Sequence, residues 1–367
     1  MSRILSYSAS TLLSLVMSAS VFAGESEAPL TVKEDAPKTY TVIKGDTLWD
    51  ISAMYLDSPW LWPRLWQVNP DIDNPHLIYP GDKLSLIWRN GQPVLSLKSM
   101  VKLSPKVRVL EKEAVPTLNK GLVLPYLESD RLIDKAELDK SERVLGSSKG
   151  KKYLTQQELL YISGSHTHTE WSIYRPVAEF ERDEQVMIAL KRVASAKLVE
   201  SDEGMTGLSV LNQVQEVQVD DIALPDVGIE ILNLSTTFYP VPSPENSVAH
   251  ILGSLDGSQY VGQNQVVVID RGEEDDLRQG SMFELYEIGS HVVGKKHQSQ
   301  QLSQASDDKL KLPDTKVGNL MVIRPYPHFS LALVTQSTQP IGKATEARAP
   351  IIEAETVAVE PVAESAN

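Results

Sequence analysis

The sequence predicts a multidomain chain: a small α+β module of strand-helix-helix-strand order, then a mainly-β middle region, then a C-terminal small antiparallel β-barrel. Three observations predict it. The 367 residues exceed what one hydrophobic core ordinarily organises. Five of the six tryptophans (Trp49, Trp60, Trp62, Trp66 and Trp88) fall between Tyr40 and Trp88, where alternating and helical periodicities succeed one another. Beyond Leu95 the apolar residues come in short runs punctuated by glycine, proline and charge, the pattern of many short strands.

In the first module, Thr39 to Ile43 alternates β-formers and ends at Lys44-Gly45-Asp46, a strand followed by a turn. Thr47 suits a helix N-cap, its hydroxyl within reach of the Asp50 amide, and Asp50 can answer as in a capping box. Leu48, Ile51 and Tyr55 recur at i, i+3 and i+7, giving that helix one apolar face. Pro63 suits the first position of a second, short helix with Leu65 and Trp66 inward. Asn69-Pro70 terminates it. Tyr79-Pro80-Gly81-Asp82 makes a tight turn, proline at i+1 and glycine at i+2, into a closing strand from Lys83 to Ile87.

Across residues 39–88 the segment resembles a LysM domain, the small module that binds peptidoglycan and chitin. Gly45-Asp46-Thr47-Leu48, Asn69-Pro70 and Tyr79-Pro80-Gly81-Asp82 stand at the spacings of that family. The resemblance implies a shallow groove between the loop Gly45, Asp46, Thr47 and Leu48 and the loop Asn69, Pro70, Asp71, Ile72 through Leu77 and Ile78. There the N-acetylglucosamine units of a glycan would lie. Backbone groups at a Gly-Asp turn can pair with acetamido groups, and Ile72, Leu77 and Ile78 offer apolar surface to methyl groups. A fold this small leans on large aromatics for its core, so Trp49 and Trp66 are read as packing. Trp60 and Trp62, in a loop beside a proline, are open to packing or to sugar stacking and stay outside the candidate site.

Residues 1–23 read as a secretory signal peptide: Arg3 is the positive start, Leu12 to Met17 the apolar centre, and Val21-Phe22-Ala23 the cleavage pattern. The apolar centre is too short for a permanent membrane span, so stable membrane insertion is not expected. The expected location is the periplasm, in association with cell wall and outer membrane. Residues 24–38, acidic with two prolines, read as a flexible lead. The chain has no cysteine. This removes disulfides, a lipid-anchoring cysteine, and the cysteine peptidases and transpeptidases that accompany LysM domains in cell-wall enzymes. A formal charge of −14 opposes binding to nucleic acid or to an anionic membrane surface.

The middle domain is expected over residues 95–225. Strands are read at Glu158 to Ile162, Glu170 to Tyr174, Val186 to Leu190 and Gly207 to Val219, the last broken by a turn or bulge where its apolar phase changes. A helix is expected over Glu128 to Leu145. Phe238 to Pro244, with three prolines, reads as a linker. The C-terminal barrel is expected over 244–340, with strands at Ser247 to Leu252, Gln265 to Asp270, Met282 to Glu287, Leu320 to Arg324 and Leu331 to Thr335. Ser290 to Asp314 reads as a mobile loop, and 341–367 as a disordered tail.

Val266-Val-Val-Ile-Asp-Arg-Gly, Leu277-Arg-Gln-Gly-Ser-Met-Phe, Val317-Gly-Asn-Leu-Met-Val-Ile-Arg and Phe329-Ser-Leu-Ala-Leu-Val-Thr-Gln resemble the C-terminal domain of the flagellar T-ring protein. With a LysM segment ahead of it, the whole order of parts resembles the secretin-associated LysM proteins of type IV pili. The resemblance implies a non-enzymatic anchor holding an outer-membrane secretin to the cell wall. A flagellar or other envelope-assembly adaptor is the alternative, and a cell-wall hydrolase a third reading.

Residues that could carry catalysis do not form a coherent set. His166-Thr-His168-Thr-Glu170 puts three possible ligands on one strand face, but zinc peptidases with a His-x-His pair also need a further histidine and a carboxylate in frame. A solvated strand face is the better account. Glu273-Glu274-Asp275-Asp276 lacks the spacing of a calcium loop and reads as a charged turn. No phosphate loop or nucleophile elbow occurs. No catalytic residue, metal or cofactor is expected.

Overall fold

The computed structural model of the chain describes residues 30–67, 78–89, 91–98, 115–129, 131–147, 153–154, 159–226, 235, 238–293 and 309–351. In the first module Thr39–Thr41 (β1) leads to a turn in which Gly45 takes φ +104°, a left-handed conformation that a side chain would strain. The helix Leu48–Tyr55 (α1) follows, with Leu48, Ile51 and Tyr55 fully buried. A 3-10 turn, Pro59–Leu61, then joins the helix Trp62–Gln67 (α2). At the second turn the Asp82 amide donates to Tyr79 O at 3.0 Å and Gly81 takes φ +97°. Lys83–Arg89 (β2) pairs antiparallel with β1, Tyr40 opposite Leu84.

The module is larger than its sequence pattern indicates. Gln92–Lys98 (β3) returns from β2 through a tight turn at Gly91 and pairs along its whole length, burying Pro93, Val94 and Leu95. On the other side Leu30 is buried in the core, and the Lys33 amide and ammonium donate to Tyr55 O and Ala53 O at 2.9 and 2.8 Å. Thus the described end of the lead, residues 30–38, is packed on α1 rather than a free tether. Residues 1–29, with the expected signal peptide, lie outside the described residues.

The expected helix over Glu128 to Leu145 is replaced by mixed structure. Lys120–Leu124 (α3) runs into a π-helical turn, Pro125–Ser129, and then Arg131–Asp134 forms a strand (β4). Only Lys135–Leu138 (α4) is helical thereafter, capped by Asp134, whose carboxylate accepts from the Ala136 amide at 2.7 Å. Leu132 and Ile133 are consecutive and both buried, which a one-sided helix does not provide and a strand covered on both faces does.

Eight strands follow: Glu142–Ser147 (β5), Tyr153–Leu154 (β6), Leu159–Ser163 (β7), Glu170–Arg182 (β8), Gln185–Asp202 (β9), Met205–Gln213 (β10), Val217–Gln218 (β11) and Ile222–Pro225 (β12). The order β10-β7-β5-β12-β8-β9 closes on itself because β9 also pairs with β10, and β4 adds along β9. Closure removes the free edges of a six-stranded antiparallel sheet. Trp171, Ile173, Leu160, Ile162, Leu208 and Val210 fill its interior. The phase change expected within Gly207 to Val219 is a register shift at Val210/Asn212, then a break after Gln213.

Phe238 to Pro244 is not a bare linker: Phe238 is buried in the core and Val241–Pro242 (β13) pairs in parallel with a later strand. The remaining strands are Val248–Ser254 (β14), Val266–Ile269 (β15), Ser281–Glu287 (β16), His291–Val293 (β17), Lys309–Lys311 (β18), Thr315–Pro325 (β19), Ser330–Ser337 (β20) and Thr345–Arg348 (β21). The order β16-β19-β20-β15-β14-β21 closes through β21–β16 pairing into a second six-stranded barrel. The stretch expected to be disordered therefore supplies the closing strand, with Ala347 fully buried and Arg348 bonded to Asp314 and Glu346 at 2.7 and 2.6 Å. The Gly289 amide, Arg348 and Lys311 hold the Asp314 carboxyl well below the usual carboxylate range. The ends of the expected mobile loop are paired as β17 and β18. Residues 294–308 of that loop lie outside the described residues.

One apolar cluster joins all three parts. It runs from the tryptophans of α1 and α2 through Val115, Leu118, Val123, Leu127 and Leu132 to Phe180 and Met187 of the first barrel, and on to Met282, Met321 and Phe329 of the second. Polar contacts fix the same junction. The Arg324 guanidinium, 6% exposed, donates to Tyr126 O and Leu127 O at 3.3 Å, and the Leu132 amide donates to the Tyr326 hydroxyl at 2.9 Å. Arg182 holds Asp275 through two bonds of 2.6 and 3.0 Å and also donates to His328 O at 2.9 Å.

Burial pushes the Asp275 carboxyl up, but its bonds with Arg182 and the Gly272 amide, with the charges of Arg182 and Arg271, leave it below its ordinary value. A carboxyl depressed in the folded state contributes stability above its unfolded value and loses it as pH falls through the folded one. Arg182→Ala is expected to lower stability by about 2 kcal/mol at neutral pH. In denaturant titrations of both proteins, that difference should shrink below about pH 4.

Candidate functional site

The loop that begins α1 uses its side chains to hold itself. The Asp46 carboxylate accepts from the Ile43 amide at 2.8 Å and from the Tyr40 hydroxyl at 2.9 Å. Burial and that carboxylate push the Tyr40 hydroxyl up to about 12. Thr47 is the N-cap: its hydroxyl accepts from the Asp50 amide at 3.0 Å and donates to Asp50 Oδ2 at 2.7 Å, so the answering contact goes to the hydroxyl rather than to the Thr47 amide. Leu48 points into the core, and Gly45 alone of the four is exposed. The side chains of Asp46, Thr47 and Leu48 are thus committed to the turn, the cap and the core.

The first amides of α1 already have partners. Leu48 N donates to Pro116 O at 2.9 Å and Trp49 N to Thr117 O at 3.2 Å. From the other loop, Ile78 O accepts from Val115 N at 2.8 Å, while the Ile78 side chain is fully buried. Residues 115–117 therefore bridge the start of α1 and Ile78, the described end of the second loop that the sequence marks as a groove wall. Of the candidate residues, Leu48 and Ile78 take part in this bridge, and Gly45, Asp46 and Thr47 form the turn that precedes it. Asn69, Pro70, Asp71, Ile72 and Leu77 lie outside the described residues.

Sequence reading missed Val115-Pro-Thr-Leu118 altogether. Its only signal is a pair of apolar residues around Pro116, ahead of Asn119, whose side chain caps α3 by accepting from the Gly121 amide at 2.9 Å. Trp60 and Trp62 are both buried, and the Trp62 ring lies 6.1 Å from that of Tyr239, so packing accounts for them. Trp88 is the exception among the clustered tryptophans, at 62% exposed.

The other clusters are engaged in local structure. His166 Nε2 lies 3.3 Å from Glu142 Oε1, and His168 Nε2 is bonded to Asp226 O at 3.1 Å. Both rings meet the indole of Trp171 edge-on. In the acidic run, Asp275 is held by Arg182, and Glu274 lies 3.3 Å from His328. Among the described residues no three histidine, cysteine, aspartate or glutamate side chains converge as metal ligands. None of the described helices is long and apolar enough to cross a membrane.

Residues 40–86 match the LysM domain, a module that binds peptidoglycan glycan chains. In an alignment of 63 residues the chain is 41% identical to the uncharacterized protein YqbP of Bacillus subtilis (strain 168), covering 14% of this chain and 29% of that relative. The chain thus spans less than a third of the length of the curated relative it matches.

The N-cap gives a direct check on this loop. Thr47→Ala is expected to lower the stability of the folded unit by about 1 kcal/mol, the usual loss for an N-cap. Thr47→Ser, which keeps the hydroxyl, should retain most of it in the same denaturation assay.

Proposed function

We propose that this protein is a non-enzymatic periplasmic anchor that grips peptidoglycan glycan chains through its LysM domain and holds an outer-membrane secretin of the type IV pilus kind to the cell wall. The observation that carries this reading is the shared core. The glycan-binding module is packed into the same apolar cluster as both barrels, so tension on the C-terminal barrel passes to the wall contact through packed side chains. The LysM match supports the glycan half. The partner half rests on the likeness of the C-terminal sequence to the flagellar T-ring domain. Weak affinity per copy suffices where several copies engage together, because tethering multiplies it.

Excising the module would uncover the shared core, so the binding test uses the full chain. It is expected to co-sediment with purified sacculi and to be displaced by N-acetylglucosamine oligosaccharides. An acidic chain binding by hydrogen bonds and apolar contact should pellet equally from about 0.05 to about 0.5 M salt. Failure to pellet sinks the glycan half, and a cleared band on a peptidoglycan zymogram sinks the non-enzymatic claim. Capture from cross-linked envelopes is expected to recover a secretin. Recovery of flagellar ring components without one moves the protein to the adaptor reading.

A further inference from the structure

The bridge formed by residues 115–117 takes up main-chain groups that a sugar would need. Three consecutive residues contribute one backbone bond each: Val115 N to Ile78 O, Pro116 O from Leu48 N, and Thr117 O from Trp49 N. The two amides are among the first of α1, donors with no partner inside the helix and therefore free for a ligand until this segment arrives. An acetamido carbonyl directed at the same amides competes with Pro116 and Thr117 for them.

We propose that Val115–Leu118 is a built-in competitor for the glycan, lying against the first turn of α1 and Ile78 in the resting chain and displaced when sugar binds. The proposal rests on the reading that these loops take glycan. The segment is anchored at both ends, since Val115 and Leu118 are buried in the shared core. Its centre fits less well. Thr117 is 2% exposed, and its hydroxyl is buried with no hydrogen-bond partner. A polar group desolvated without compensation works against the closed position, so the segment is held by its backbone bonds and apolar ends while its middle favours release.

Its position also couples two events. Val115 and Leu118 belong to the cluster that joins the module to the barrels, so displacing the segment for sugar loosens part of that junction. Apparent glycan affinity is then the intrinsic affinity reduced by the fraction of chains in which the segment is open.

Thr117 allows the balance to be moved in both directions. Thr117→Val replaces the unpaired hydroxyl with a methyl group and strengthens the closed state. Thr117→Asp places a carboxylate where none can be accommodated and opens it. Titration of the full chain with chitohexaose by calorimetry is expected to show roughly tenfold weaker binding for Thr117→Val and roughly tenfold tighter binding for Thr117→Asp. Saturation of the wild-type chain with the same sugar should speed hydrogen exchange at the Val115 amide. Should Thr117→Asp not fold, the Thr117→Val shift and the exchange measurement decide the matter. If wild type and variants bind equally and Val115 stays protected, the competitor is overturned while the glycan reading stands. If no form binds chitohexaose, both fall together.

Discussion

The small first module shares its apolar core with its neighbours, and that shared burial organises the whole chain. Trp60, Trp62, Trp66 and Tyr55 are all buried, a large apolar load for three short strands and two helices. That load is shared by Leu30 from before the first strand, by Val115 and Leu118 from after the last, and by Phe238 from the approach to the second barrel. Burial that would be a liability in an isolated module becomes the joint between modules.

The barrels answer a different demand. Antiparallel sheets with free edges invite pairing with other chains, and closing each sheet on itself removes that hazard. Arg324 shows how a charged group carried into the junction between them is satisfied there. Arg324 is nearly inaccessible, yet its guanidinium reaches two backbone carbonyls and lies over the Tyr326 ring. A buried guanidinium left without such partners would oppose docking. Arg182 and Asp275 add a charged pair that repeats the same link at the rim of the junction.

Around the two loops of the LysM motif, side chains and main chain divide the labour. Asp46 and Thr47 shape the turn and cap the helix, and Leu48 and Ile78 fill the core. That leaves amides and carbonyls, groups that every sequence carries, as the ones these side chains do not occupy. This is why the motif residues identify the fold of the module more directly than they identify its contacts. It is also why a short stretch of the chain's own backbone can take the same positions.

What the sequence determined by itself was local. Gly45 and Gly81 mark left-handed turns, Thr47 caps α1, and Leu48, Ile51 and Tyr55 form one helical face, because each depends on residues a few positions apart. The core strands of both barrels were also legible as short β-rich runs between turn residues. Their closure was not: β21 is Thr-Glu-Ala-Arg, polar by composition, and becomes a strand because β14 and β16 offer unpaired backbone on both sides. A helix is what the sequence led one to expect over Glu128 to Leu145 despite its dense charges, but pairing of Leu132 and Ile133 with β9 outweighs helix propensity there. The bridge at Val115–Leu118 has no motif, since backbone carbonyls of any residue could fill it. Only the tertiary structure, which brings distant backbone within hydrogen-bonding distance, decided what covers the loops that the sequence had marked.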